Sequence, residues 1–215
     1  MTKAVCTILL GFLLVVSKPA LSDSTPVILV VGDSLSAAYG IDVEEGWVAL
    51  LERRLSGEGY PHRVVNASIS GETTRGGRRR LAELLSLHEP SIVAVELGGN
   101  DGLRGIPLAE IERNLTAMRE AIRESGAVAI VLRMALPPNY GPDYTRGFNS
   151  LYDQIGEADG VFVTPFFLGA VALNPELLQA DGLHPTVAAQ AMMLDTVWPT
   201  IAAHLEVEAA EKEVP

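Results

Sequence analysis

The sequence predicts an α/β protein built on a five-stranded parallel sheet with helices on both faces. Val27-Ile28-Leu29-Val30-Val31 is an unbroken, mostly β-branched apolar run, the pattern of a strand buried on both sides. Four more short apolar segments follow it, each set apart from the next by a stretch of helical periodicity, which is the rhythm of βαβ units. No internal repeat and no low-complexity linker interrupts this alternation, so residues 23–205 read as one domain.

Past the first strand, 36–42 reads as a loop and Glu45 to Leu55 as a helix. Trp47, Leu50, Leu51 and Leu55 share one face of it, and Gly57 and Gly59 close it. Arg63 to Ala67 is the second strand, followed by the loop Ser68-Ile69-Ser70-Gly71-Glu72-Thr73-Thr74. A helix is expected from Arg78 to Leu87, ended ahead of Pro90. The third strand, Ile92 to Leu97, runs directly into Gly98-Gly99-Asn100-Asp101-Gly102, which has turn chemistry. Leu108 to Glu124 is the clearest helix, with Ile111, Leu115, Met118 and Ile122 along one stripe. Val128 to Leu136 is the fourth strand and enters the proline-rich loop Pro137-Pro138-Asn139-Tyr140-Gly141-Pro142. Tyr144 to Ile155 is helical, Val161 to Val163 is the fifth strand, and Pro175 to Leu178 forms a helical turn. Pro185 suits the first turn of a last helix, Thr186 to His204, which Pro199 should kink or end. Met192-Met193-Leu194 and Trp198 on that helix read as core, and 206–215 as an acidic, frayed tail.

The first 22 residues are of another kind. Lys3 supplies a positive start, Ala4 to Val16 an apolar run, and Ala20-Leu21-Ser22 a small-x-small ending: the layout of a secretory signal peptide cleaved before Asp23. The run is shorter than the roughly 20 residues of a membrane span, so no stable membrane insertion is expected after cleavage. Periplasmic or secreted localisation follows. Cleavage also removes Cys6, the single cysteine, which leaves no disulfide, thiol nucleophile or cysteine-based zinc site. The whole chain carries a net charge of −11, and loss of Lys3 and Lys18 takes the mature balance to −13. Such a chain is a poor nucleic-acid binder, because phosphate backbones need a basic face.

In an open α/β sheet, ligands collect at the carboxyl ends of the strands. The first strand delivers Gly32-Asp33-Ser34 there. A serine at that edge, opening a helix, would present its hydroxyl beside free backbone N–H groups, although Asp33 or Ser34 could equally be a helix cap. With the common strand order 2-1-3-4-5, the Gly71 loop and Asn100 flank Ser34. Of the four histidines, His62 and His88 belong to the opposite edge and His204 to the last helix, which leaves His184 in a loop on Ser34's side. Asp181 lies three residues before it, with Gly182 permitting a tight turn that aims both side chains one way. Serine-dependent ester hydrolysis needs a nucleophile, a base, a group to orient the base, and oxyanion donors. Ser34, His184 and Asp181 are candidates for the first three, although Asp181 to Pro185 reads equally as a turn before a proline-started helix. Asn100 with the backbone N–H groups of Ser34 and Gly71 supplies the donors.

These segments resemble the four signature blocks of the SGNH (GDSL-type) hydrolases: Gly32-Asp33-Ser34-Leu35, the Gly71 loop, Gly98-Gly99-Asn100-Asp101 and Asp181-Gly182-Leu183-His184-Pro185. Asn66 to Gly71, Glu96 to Gly105 and Leu136 to Gly141 are similar to the bacterial periplasmic thioesterase/lysophospholipase/arylesterase branch. The resemblance implies Ser34 as nucleophile, His184 as base, Asp181 as its orienter, and Ser34, Gly71 and Asn100 as the oxyanion hole. It further implies a three-layer α/β/α flavodoxin-like fold, with no metal and no cofactor. The expected substrates are a small acyl ester, a lysophospholipid or a thioester.

Leu136, Pro138 and Phe166 are apolar, stand near the same edge, and are candidates for an acyl pocket. Arg75, Arg78, Arg79 and Arg80 read as a solvated helix face, with a phosphate or lysophospholipid headgroup as the alternative. Two rivals compete with the esterase reading. A carbohydrate O-deacetylase would use the same site, and a flavodoxin-like binding module would use Asp33 as its acidic ligand.

Overall fold

A computed structural model describes residues 25–212; the expected signal peptide 1–22, with Cys6, lies outside them. Five strands form one parallel sheet: β1 (Val27–Gly32), β2 (Arg63–Asn66), β3 (Ile92–Glu96), β4 (Val128–Arg133) and β5 (Val161–Phe166). Their order is β2-β1-β3-β4-β5, as expected. The register sets Ile28 opposite both Val64 and Ile92, and Gly32 opposite Glu96. β1 and β3 are buried at every position, which accounts for their unbroken apolar sequences.

The helices sort into two layers. α1 (Trp47–Gly57) packs with α6 (Val187–Lys212) on one face, and α2 (Thr74–His88), α4 (Leu108–Glu124) and α5 (Pro142–Gly156) cover the other. The apolar stripe Ile111, Leu115, Met118 and Ile122 of α4 is fully buried, as its spacing dictates. Trp47 joins the first layer to the β1 loop. Its backbone N–H donates to Gln190 Oε1 on α6 at 3.0 Å, its indole N–H donates to Ser36 Oγ at 3.2 Å, and its ring meets Phe167 edge-on at 5.4 Å.

Several elements depart from expectation for identifiable reasons. α2 begins at Thr74 rather than Arg78, with Thr73 Oγ1 capping the Gly76 N–H at 3.3 Å. Gly76 and Gly77 weaken the helical signal there, but Gly77 is required: a Cβ on it would stand 2.3 Å from Leu97 Cδ1. The expected turn at Gly98–Gly102 is a short helix, α3 (Gly99–Leu103), entered through Gly98 at φ 114°. β4 stops at Arg133, and β5 runs on through Pro165 to Phe166 at the sheet edge, where a missing N–H costs no ladder bond. Val43–Glu45 is a separate 3-10 turn before Gly46 breaks into α1.

Pro185 is not in the first turn of α6; it makes an isolated antiparallel bridge with Leu178. Pro199 does not end α6, which continues to Lys212, so the expected frayed tail is helical over most of its length. Val197, Ile201 and Leu205, buried around Pro199, hold the helix through the lost hydrogen bond. Met193 and Leu194 are core, whereas Met192 is exposed.

Trp47→Ala removes the ring that two layers share and should cost about 3–5 kcal/mol of stability. Urea denaturation followed by circular dichroism measures that loss.

Candidate active site

The site is assembled at the carboxyl edge of β1 and β3. β1 ends at Gly32, and Ser34 to Gly40 are consecutive turns rather than the start of a helix. Asp33 Oδ1 accepts the Leu35 N–H at 3.0 Å, a side-chain-to-backbone turn that sets Ser34 at the bend. Beneath it lies a fully buried Glu96. Its Oε2 accepts the Asp33 N–H at 3.1 Å and the Ser36 hydroxyl at 2.8 Å, so the end of β3 fastens both sides of the Ser34 bend. Gly32 is obligatory opposite it, since a Cβ would stand 2.7 Å from Glu96 Oε2.

His184 Nε2 lies 2.9 Å from Ser34 Oγ, and His184 Nδ1 lies 2.7 Å from Asp181 Oδ2. Asp181 Oδ1 also accepts the backbone N–H groups of Leu183 at 2.9 Å and His184 at 3.0 Å, around Gly182 at φ 67°. Those bonds, the backbone one from His184 foremost, hold the Asp181 carboxyl down at about 2. An ionised carboxylate only accepts, so Nδ1 carries the imidazole proton and Nε2 is left to accept from the Ser34 hydroxyl.

Gln179 fixes the histidine loop against the serine loop. Its backbone N–H donates to the His184 carbonyl at 2.7 Å, and its side-chain amide donates to the carbonyls of Tyr39 at 2.8 Å and Pro185 at 2.9 Å. Tyr39 in turn lies against the imidazole, ring centres 4.4 Å apart.

Asn100 reaches the same edge from α3. Its Nδ2 donates to Asp33 Oδ2 at 2.7 Å, which leaves the second amide hydrogen without a protein partner among the described residues. Gly71 sits in its loop at φ 79°, with its carbonyl taken by Arg104 at 3.1 Å. The loops carrying Gly71 and Asn100 are bolted together by buried Asp101, whose two oxygens accept the Thr74 N–H at 2.9 Å and the Thr74 hydroxyl at 2.6 Å.

Ser34, Gly71, Asn100 and His184 all border one cavity of about 650 Å³. Leu136, Pro138 and Phe166, the candidates for an acyl pocket, line it. So do Tyr39, Leu103, Met134 and Leu178, which the sequence did not single out because isolated apolar residues in loops carry no periodic signal. The parts played by Glu96, Gln179 and Asp101, the last quoted only within its signature block, also escaped sequence reading. A charged residue closing an apolar strand, as Glu96 does, is the one signal that pointed to any of them.

A serine hydroxyl, an imidazole whose Nε2 faces it and an asparagine amide beside an apolar cavity are the parts that acyl hydrolysis of the serine type calls for. The GDSL-like Lipase/Acylhydrolase family profile matches residues 30–192, and the chain belongs to that family. It is 50% identical over 174 residues to Esterase TesA of Pseudomonas aeruginosa, covering 81% of this chain and 87% of that protein. With the thioesterase 1/protease 1/lysophospholipase L1 of Escherichia coli K12 it shares 38% over 186 residues, 86% of this chain and 88% of the other. The psychrotrophic esterase EstA from Pseudoalteromonas, in a crystal structure inhibited by monoethylphosphonate, superposes with a TM-score of 0.80 at 42% identity. That match covers 84% of this chain and 98% of EstA. The chain is a serine esterase of the SGNH type.

Burial, together with the nearby Asp33 carboxyl, pushes the Glu96 carboxyl well above its ordinary 4.5. Above that pH the unfolded chain has released a proton that the folded chain still holds, so stability falls as pH rises toward the folded-state value. Glu96→Gln should flatten that decline between pH 5 and 9 in urea melts. An unchanged slope would show that Glu96 is ionised in the folded protein.

Proposed function

We propose that Ser34 is the nucleophile of this esterase, His184 its general base and Asp181 the group that orients the imidazole. The single observation carrying the reading is the chain Asp181 Oδ2, His184 Nδ1, His184 Nε2, Ser34 Oγ, with contacts of 2.7 and 2.9 Å. As Ser34 Oγ attacks the carbonyl carbon, its proton passes to His184 Nε2 and the imidazolium is stabilised by Asp181. The carbonyl oxygen becomes an oxyanion held by the N–H groups of Ser34 and Gly71 and the free hydrogen of Asn100. His184 then protonates the leaving alcohol or thiol, an acyl-enzyme remains on Ser34, and water activated by His184 releases the acid. None of these steps draws on a metal or a cofactor. Asp33 stands behind Asn100 as a positioning residue.

The substrates that fit are small carboxylic esters, lysophospholipids and thioesters. The cavity is apolar along Leu103, Met134, Leu136 and Phe166 and has room for an acyl chain longer than acetyl. Export to the periplasm, read from residues 1–22, keeps the enzyme from cytoplasmic acyl-CoA and favours the lysophospholipid and simple ester classes.

Ser34→Ala and His184→Ala should each lower kcat on a p-nitrophenyl ester by about 10⁴-fold or more, with the fold intact by circular dichroism. Asp181→Asn should lose about 10²–10⁴-fold, because the amide no longer selects the Nδ1–H tautomer. A fluorophosphonate should label wild-type protein and not Ser34→Ala; equal labelling of both would remove Ser34 from its role.

Across p-nitrophenyl acetate, butyrate and octanoate, kcat/KM should rise beyond acetate as the cavity fills, by roughly 10-fold or more for each step that buries two further methylenes. Preference for acetate with rejection of octanoate would instead identify an O-deacetylase.

A further inference from the structure

On the sheet face away from α1 and α6, α2 and α4 enclose a second cavity of about 310 Å³, lined by Arg75, Arg78, Arg79, Glu110, Arg113 and Asn114. Two triplets with i, i+3, i+4 spacing make it: Arg75, Arg78 and Arg79 on one helix, and Glu110, Arg113 and Asn114 on its neighbour. Four arginines and one carboxylate thus line the cleft, in a chain whose net charge is −11.

That carboxylate is committed. Glu110 Oε1 takes Arg75 Nε at 3.0 Å and its NH2 at 2.8 Å. Arg78 is steered by Asn114, whose Oδ1 accepts its NH1 at 3.2 Å. Asn114 is itself buried and fixed by donating to Thr74 Oγ1 at 3.1 Å. Arg79 and Arg113 have no carboxylate partner among the described residues, and both are exposed. Arg80, the fourth arginine of the sequence cluster, points elsewhere and pairs with Glu72 at 2.9 Å.

Like charges at this spacing repel, and among the described residues no carboxylate offsets Arg78, Arg79 or Arg113. Guanidinium forks match the tetrahedral oxygens of phosphate, and three of them are left unneutralised around a space of phosphate-ester size. We propose that the cleft between α2 and α4 is a binding site for a phosphate group, separate from the esterase cavity. The phosphate would be a soluble ester or an anionic lipid headgroup. The site goes beyond the esterase reading and does not depend on it.

The test uses the full chain with its arginine Nε–H resonances labelled, titrated with inorganic phosphate against sodium chloride of equal ionic strength. Phosphate should give saturable shifts that chloride does not, and Arg79→Gln/Arg113→Gln should weaken the response about tenfold or more. Turnover of p-nitrophenyl butyrate by that variant should stay within about twofold of wild type, because neither arginine touches the esterase site. Cosedimentation with phosphatidylglycerol vesicles, absent with phosphatidylcholine vesicles and lost in the variant, would assign the group to a lipid headgroup. Saturable phosphate shifts without vesicle binding would assign it to a soluble ester. Identical responses to phosphate and chloride, or responses that persist in the double variant, would overturn the site.

Discussion

The buried carboxyl of Glu96 is the constraint on which the catalytic edge depends. A parallel sheet positions its strands to within a hydrogen bond, but the chain beyond a strand's last residue is free to wander. Here the last residue of β3 reaches across to β1 and takes the Asp33 N–H and the Ser36 hydroxyl together. Ser36 also accepts from Trp47, so the first helix layer presses on the same point. The bend carrying Ser34 is therefore held from below by sheet, loop and helix at once. Asp33, fixed by that arrangement, passes the order on to the Asn100 amide. Desolvation pushes both carboxyls up, and the Asp33 charge raises Glu96 further, while the bond to Glu96 works the other way on Asp33. The result is a Ser34 loop fastened at the residue before the bend and again two residues after Ser34.

The other side of the site relies on Asp101 and Thr74. Two hydrogen bonds from one residue join the segment that carries Gly71 to the segment that carries Asn100. Asn114 extends the same network to Arg78. Buried Asp101, Thr74 and Asn114 thus connect the segments that carry Gly71 and Asn100 with the arginine cleft.

The fold and the candidate site residues were legible to different degrees, for physical reasons. β1 and β3 are buried on both faces and the α4 stripe meets a single layer, so their periods appear unmixed in the sequence. Ser34, Asn100, Asp181 and His184 were legible because they stand at strand ends or in one loop of the same edge. Illegible were the features set by contact across the chain. The start of α2 depends on Gly77 fitting against Leu97, and the passage of α6 through Pro199 depends on apolar neighbours that outweigh a local breaker. The arginine cluster was visible on one helix, but Arg113 joins it only because α2 and α4 are adjacent. Glu96 and Gln179 act over separations of 60 and 140 residues, where sequence patterns carry nothing.

The Asp181–His184 turn has a mechanical consequence. Every bond that defines the state of the imidazole is made within four consecutive residues, around one left-handed glycine. The Asp181 carboxylate and the His184 imidazole are therefore oriented to one another by their own turn, independently of the rest of the chain. What the rest of the fold must set is one distance, the 2.9 Å between His184 Nε2 and Ser34 Oγ. Gln179, by donating to the Tyr39 carbonyl, ties that turn to the Ser34 loop and so sets the distance.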